Sequence, residues 1–247
     1  MKKILITAGG TSEKIDNVRK ITNSSSGKLG MMIAHQLLAI NHDEVKIYYI
    51  CPKNALRPSS PKVEIIEIEG TEELKNTIEV ILQNEKIDYF IHSMAVSDYT
   101  TDYITTIEKI KSKIKTTRNV EEAFLNIETI QSNKISSNEN NLVIVLKKTP
   151  KIISMIKKLS PETYLIGFKL LDGVSKKELV ESAKKLRDKN NCDLVVANDL
   201  STIRKGKHVA YIIDKNNVIE KAISKEEIAK KLVRRMNNER ENFICWW

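Results

Sequence analysis

Two small-residue segments near the start of the chain carry its most informative chemistry. Ile4-Leu5-Ile6-Thr7-Ala8-Gly9-Gly10-Thr11 is an apolar run that ends in paired glycines. Ile21-Thr22-Asn23-Ser24-Ser25-Ser26-Gly27-Lys28-Leu29-Gly30 sets serines and glycines just ahead of an apolar helical pattern. Loops of this kind offer bare N–H groups to an anion, most effectively at a helix N-terminus, so a phosphorylated ligand is expected. Asn23 adds an uncharged amide with two donors and one acceptor. It could hold a carboxylate or acyl phosphate oxygen and leave the carbon electrophilic. A turn Asn that satisfies local backbone competes with that reading, as a plain tight turn does for the glycine pair. Asp98 closes the run Ser93-Met94-Ala95-Val96-Ser97-Asp98. Its carboxylate could accept both hydroxyls of a ribose, or serve only as a cap. Thr149-Pro150-Lys151 at an expected helix start is a second phosphate candidate. Lys134, in a polar stretch, is by itself one lysine among many on a solvated surface.

Several chemistries lack their signature. Gly9 and Gly10 are adjacent, so no G-x-G-x-x-G occurs, and there is no G-x-x-x-x-G-K-[ST]. Cys51, Cys192 and Cys245 form no C-x-x-C pair, and His35, His42, His92 and His208 have no zinc-ligand spacing. The expectation is reduced thiols in a cytoplasmic protein, with neither signal peptide nor membrane span. A net charge of +9 suits an acidic partner such as a nucleotide or phosphorylated metabolite. The lysines are mixed with Glu, without basic clusters interleaved with aromatics, and this argues against nucleic acid.

These residues need a frame. Strand and helix patterns alternate: strands at 4–8, 45–50, 63–68, 89–91, 142–146, 164–168 and 194–197, and a hairpin of 210–213 with 218–220. Helical seams follow at 30–40, from Thr71 as cap, after Pro150 at position N1, from Ser175 with Glu178 to about 190, and from Ser224 with Glu227. The fold class is therefore α/β, a Rossmann-like three-layer αβα with a mainly parallel sheet. At 247 residues we expect one domain over 1–240, with 100–141 an inserted flap or dimerisation region and 241–247 a tail. Ligands in such sheets sit beyond the carboxyl ends of the strands. The loops at Gly9–Thr11, Ser93–Asp98 and Asn198–Asp199 are expected there.

In order along the chain, the run Ile-Thr-Ala-Gly-Gly-Thr through Ile-Thr-Asn-x-Ser-Ser-Gly-x-Leu-Gly, then Ala95-Val96-Ser97-Asp98-Tyr99, Lys147-Lys148-Thr149-Pro150-Lys151-Ile152-Ile153, Ile166-Gly167-Phe168 and Val196-Ala197-Asn198-Asp199 resemble phosphopantothenate–cysteine ligases. The resemblance spans nearly the whole chain and is to the stand-alone form, without a flavin-dependent decarboxylase ahead of it. It implies a Rossmann-like dimer with a flap. It implies activation of the 4′-phosphopantothenate carboxylate by CTP with Mg²⁺, release of pyrophosphate, and attack by the cysteine amine on an acyl-cytidylate. Asn23 then holds the acyl intermediate, with Ser25, Ser26, Gly27 and Ala95 around the acid substrate. Lys134 meets the triphosphate and Asp98 binds the ribose. Gly9, Gly10, Thr11, Ser93, Met94, Ala95, Pro150, Lys151, Ile152, Ile153, Phe168, Lys185 and Lys189 complete the nucleotide positions. The family's Lys-x-Lys-Lys loop reads Lys134-Ile135-Ser136-Ser137 here, without its last two lysines. The resemblance also implies a homodimer and association with a separate decarboxylase. An NAD(P)-dependent reductase and a non-enzymatic nucleotide-binding module are the alternatives the fold class permits.

Overall fold

A computed structural model describes residues 1–41, 45–117, 119–125, 127–130, 132–204 and 207–244; the side chains of 41, 123, 125, 204 and 238–244 are outside that description. The sequence expectations for His42, Cys245 and the end of the tail, 245–247, lie outside the described residues.

The chain begins with β1 (Lys2–Thr7), a short hairpin of β2 (Ser12–Lys14) and β3 (Lys20–Thr22), and α1 (Lys28–Asn41). It continues through β4 (Val45–Cys51), β5 (Val63–Glu67), α2 (Thr71–Asn84) and β6 (Tyr89–His92). The middle holds β7 (Tyr99–Thr106), α3 (Ile107–Thr117), α4 (Val120–Leu125) and β8 (Leu142–Lys148). Then come α5 (Ile153–Leu159), β9 (Tyr164–Leu171), α6 (Lys176–Asn190), β10 (Leu194–Asp199), α7 (Leu200–Arg204), β11 (Ala210–Asp214), β12 (Ile219–Ala222) and α8 (Lys225–Ile244).

The central sheet has eight strands in the order β12-β11-β10-β9-β6-β1-β4-β5. β1, β4, β5, β6, β9 and β10 pair in parallel, and β11 and β12 complete one side as an antiparallel hairpin. Runs such as Leu194-Val195-Val196-Ala197 are apolar on successive residues because both faces are covered. On one face Ile6, Tyr49 and Val196 meet Ile33 and Leu37 of α1 and Ile228 and Leu232 of α8. On the other, Leu5, Phe90 and Val195 meet Leu74 and Ile78 of α2, Ile156 of α5 and Leu179 of α6. Each such side chain contributes about 1.5–3 kcal/mol when fully buried.

This order creates one reversal. The chain leaves β1 for β4 on one side and crosses back from β5 to β6 on the other. The reversal puts the expected ligand crevice of such a sheet at the carboxyl ends of β1 and β6.

Three expectations need correction. Leu142–Leu146 is a strand but does not join the central sheet. β8 pairs antiparallel with β7 as a separate ribbon, with Thr106 opposite Leu142 and Tyr99 opposite Lys148. Its half-exposed Leu142–Val145 and exposed Leu146–Lys148 suit a ribbon rather than a covered strand. Pro150 does not occupy N1, because α5 starts at Ile153 after Ile152. Thr71 does not cap α2, whose cap is Gly70. Its hydroxyl instead donates to Glu13 Oε1 at 2.7 Å. Ser175 and Ser224 do cap α6 and α8, accepting from Glu178 N–H and Glu227 N–H at 3.2 Å each.

Candidate functional site

The loops after β1 and β6 continue to pair beyond the strands. Ala95 N–H donates to the Gly9 carbonyl at 2.9 Å, and Thr11 N–H donates to the Ala95 carbonyl at 3.1 Å. The segment before α1 joins them: Asn23 N–H donates to the Thr11 carbonyl at 3.1 Å, and Asn23 Nδ2 donates to the Ala95 carbonyl at 3.3 Å. Asn23 thus stands half-buried at the mouth of the crevice, and its side chain makes no other hydrogen bond among the described residues. The glycine pair is required here for two different reasons. Gly9 sits at φ +86°, and a Cβ on it would come within 2.7 Å of Pro52 Cδ. A Cβ on Gly10 would lie 2.0 Å from the Asn23 carbonyl oxygen.

A buried set of hydroxyls fixes the loops from below. Thr11 Oγ1 accepts from Ser97 N–H at 2.8 Å and lies 3.0 Å from Ser97 Oγ. Thr149 donates its hydroxyl to the Ser97 carbonyl and its N–H to the Asp98 carbonyl. That holds the segment Thr149–Ile152 at the same edge, with the Ile152 side chain buried among Met94 and Ile156. Asp98 and Lys151 form a surface ion pair, their side chains 64% and 65% exposed. Such a pair contributes little, so both groups can be given over to a ligand's hydroxyls and phosphates. At the end of β6, His92 Nδ1 lies 2.7 Å from Thr7 Oγ1 at the end of β1. Burial pushes this imidazole down to about 4 and keeps it neutral near pH 7.

The carboxyl end of β10 supplies the third loop. Asp199 accepts from Gly173 N–H at 2.9 Å, Val174 N–H at 3.1 Å and Ser201 N–H at 2.8 Å. Those donors, Gly173 first, hold its carboxyl below the usual carboxylate range. Asn198 Nδ2 lies 2.9 Å from His208 Nε2. Phe168, on the neighbouring β9, packs on the α1 and α8 side of the sheet.

The structure therefore gathers Gly9, Gly10, Thr11, Asn23, Ser93, Met94, Ala95, Asp98, Pro150 and Lys151 at one edge, with Ser25, Ser26 and Gly27 leading into α1. It does not gather all candidates. Lys134 lies at the tip of the β2–β3 hairpin, where Asn17 N–H donates to the Asn133 carbonyl at 3.0 Å and Ile135 N–H to Asp16 Oδ2 at 3.1 Å. Asp16 also accepts from Val18 and Arg19 N–H and from the Arg19 guanidinium, at 2.6–3.0 Å. Burial opposes its charge, but these donors outweigh that and hold the carboxyl well below the usual range. Lys134 is exposed at that anchored tip. Lys185 and Lys189 lie in the second half of α6, which runs back from the carboxyl edge toward the start of β10. They sit toward the opposite edge of the sheet, because the helix must return there before the next parallel strand.

Sequence reasoning missed the Thr11–Ser97–Thr149 hydroxyl set, the Asp16 anchor and His208. Asp16 and Arg19, three apart beside the expected loop, carried a local signal. His208 carried none, since only the β10–β11 pairing brings it to Asn198. No group of three or more His, Cys, Asp or Glu suited to a metal ion occurs among the described residues. Cys51 and Cys192 are buried, and burial pushes the Cys192 thiol up to about 12, so neither is poised as a nucleophile. The site offers oriented dipoles and movable cations instead.

Comparison with known proteins agrees with this geometry. The family described as the DNA/pantothenate metabolism flavoprotein C-terminal domain matches residues 1–125 and 123–239. The coenzyme A biosynthesis bifunctional protein CoaBC of Thermococcus kodakarensis is 34% identical over 238 residues, 96% of this chain and 48% of that protein. The chain spans about half the length of the curated relatives it matches. A crystal structure of the DNA/pantothenate metabolism flavoprotein from Streptococcus pneumoniae is 40% identical, with a TM-score of 0.84 over 97% of this chain and 100% of that one. A Cab2 mutant in complex with phosphopantothenate-cysteine shares the fold, with a TM-score of 0.72 at 16% identity over 99% of this chain and 88% of that one. No helix among the described residues is long and apolar enough to cross a membrane. The mainly parallel sheet, the paired loops at its reversal and the match over nearly the full length lead to one conclusion: the chain belongs to the DNA/pantothenate metabolism flavoprotein C-terminal domain family.

Proposed function

We propose that this chain is a phosphopantothenate–cysteine ligase of coenzyme A biosynthesis that uses CTP. The observation that carries the reading is the Asn23 amide fixed on the Ala95 carbonyl, in the crevice where glycine-rich backbone and a helix N-terminus also converge. A carboxylate is a poor electrophile, and its condensation with an amine in water is uphill. In the reaction we assign, a carboxylate oxygen of 4′-phosphopantothenate attacks the α-phosphorus of CTP. The bond to the β-phosphate breaks and pyrophosphate leaves. The amine nitrogen of L-cysteine then attacks the acyl carbon, loses a proton, and displaces CMP to leave the amide.

No protein nucleophile is needed in either step. Positioning and electrostatic stabilisation supply the rate. Asn23 orients the acyl oxygens, and Gly9 to Thr11 with Ser93 to Ala95 hold the nucleotide. Asp98 accepts the ribose hydroxyls once Lys151 turns toward phosphate. Lys134 reaches the triphosphate when the 100–141 flap closes. Mg²⁺ bound with the triphosphate would neutralise part of its charge; among the described residues no group of three or more His, Cys, Asp or Glu would hold the ion by itself. The flap also serves as the dimer contact, residues 1–240 act as one ligase domain, the protein works in the cytoplasm, and a decarboxylase acts on its product.

The test is direct. The protein is incubated with 4′-phosphopantothenate, cysteine, Mg²⁺ and each nucleoside triphosphate in turn, and products are identified by mass spectrometry. Amide with CMP and pyrophosphate is expected. Amide formed equally well with ATP would remove CTP from the assignment, and absence of amide with every triphosphate would end it.

A further inference from the structure

Glu13, the middle residue of β2, is a buried carboxylate, 7% exposed. The lysines of its hairpin, Lys14 and Lys20, pair with Glu69 instead. Its Oε1 accepts from Thr71 N–H at 2.9 Å and from the Thr71 hydroxyl at 2.7 Å. The start of α2 does not need this charge for its dipole, because Glu72 and Glu73 already occupy the first turn. What Glu13 adds is a fixed direction for one hydroxyl.

Thr71 has a single hydroxyl proton and two acceptors within reach, Glu13 Oε1 at 2.7 Å and Thr11 Oγ1 at 3.4 Å. The carboxylate is closer and charged, so it takes the proton. Thr71 therefore does not donate to Thr11, and the lone pairs of Thr11 Oγ1 stay available to Ser97. Ser97 N–H donates to that oxygen at 2.8 Å, and Ser97 Oγ lies 3.0 Å from it. Glu13, Thr71, Thr11 and Ser97 are all buried, where a polar group without its partner is costly. The chain of contacts runs from the hairpin and the start of α2 to the segment that carries Asp98. Asn23 is held separately, through the backbone carbonyls of Thr11 and Ala95.

We propose that Glu13 is a positioning residue for the nucleotide. By directing the Thr71 hydroxyl toward itself it keeps Thr11 bonded to Ser97, and so sets the place of Asp98 against the ribose and of Gly9 to Thr11 against the phosphates. The inference rests on the ligase reading above and adds to it a residue that touches no substrate.

The experiment compares wild type, Thr71→Val, Thr71→Ser and Glu13→Gln. Thr71→Val keeps the shape and the N–H of residue 71 and removes the hydroxyl that Glu13 directs. Loss of this charge-assisted contact raises KM for CTP about tenfold in Thr71→Val. KM for cysteine stays near native, because Asn23 does not depend on these hydroxyls. Thr71→Ser keeps the donor and Glu13→Gln keeps the acceptor oxygen, so both stay near wild type. Hydrogen exchange at Ser97 N–H in the free protein speeds up in Thr71→Val alone. A lower melting temperature with unchanged KM for CTP would mean that Glu13 only anchors α2, and would overturn the proposal. Equal rises in both KM values, or exchange at Ser97 unaltered in Thr71→Val, would overturn it too. If wild type makes no amide at all, the ligase reading fails. Calorimetry with CTP then decides the inference separately: binding by wild type that weakens about tenfold in Thr71→Val supports it, and equal or absent binding refutes it.

Discussion

Gly10→Ala places the heaviest demand on the crevice for the smallest change in sequence. The added Cβ would lie 2.0 Å from the Asn23 carbonyl oxygen and 3.0 Å from the Asn23 carbonyl carbon. Both contacts are backbone, so no side-chain rotation relieves them. Restoring an ordinary separation means moving the Asn23 segment away by about 1 Å. Overpacking of this size costs about 1–3 kcal/mol, which for a chain of this length lowers the melting temperature by about 2–10 °C. The larger effect falls on chemistry. The same shift breaks the 3.1 Å bond from Asn23 N–H to Thr11 and the 3.3 Å bond from its amide to Ala95. A displacement of about 1 Å at a positioning group costs about 100-fold in rate. Scanning calorimetry reads the first effect and steady-state amide formation the second. A variant with near-native melting temperature and near-native turnover would show that the two loops are not locked together as described.

Other expectations follow from the same geometry. Asn23→Ala keeps the fold and loses product formation; normal turnover by that variant would remove Asn23 from the mechanism. Lys134→Gln slows CTP-dependent pyrophosphate release, and an unaltered rate would assign the triphosphate contact to another cation. His92 gives a pH dependence. Its folded pKa is pushed down by burial from 6.5 to about 4, so its contribution to stability is complete above the unfolded value and fades as pH falls from about 6.5 to about 4. That displacement is worth about 3 kcal/mol at the acid end. Urea titrations across this range show a steeper loss for wild type than for His92→Gln. Equal slopes would mean that His92 titrates freely.

Much of the fold was legible because strands covered on both faces must be continuously apolar. Val45–Ile50 and Leu194–Ala197 announced themselves in this way, and Ser175 and Ser224 marked helix starts with hydroxyls that do cap. The ribbon of β7 and β8 was harder to read. A strand with half-exposed residues looks locally like any other, and only pairing decides which sheet it joins. α3 and α4 were missed for a similar reason, since neither has a buried side chain among its described residues to leave a periodic seam. In the site, Gly9, Gly10, Asn23 and Asp98 stood out because their types are unusual for their position. Thr11, Ser97 and Thr149 did not, since a hydroxyl is common anywhere and only the meeting of three loops gives these a joint role. Lys185 and Lys189 came from the resemblance and had no local signal of their own; α6 runs back along the sheet over its full length, so its second half lies away from the crevice.

The most direct measurement follows the oxygen atoms. With oxygen-18 in the carboxylate of 4′-phosphopantothenate, attack of that carboxylate on the α-phosphorus of CTP transfers one labelled oxygen to CMP and leaves pyrophosphate unlabelled. Mass spectrometry of the two products should find that distribution at every turnover. Amide formation with label in an inorganic phosphate product, or with unlabelled CMP, would mean that the crevice does not join a nucleotide to the acid.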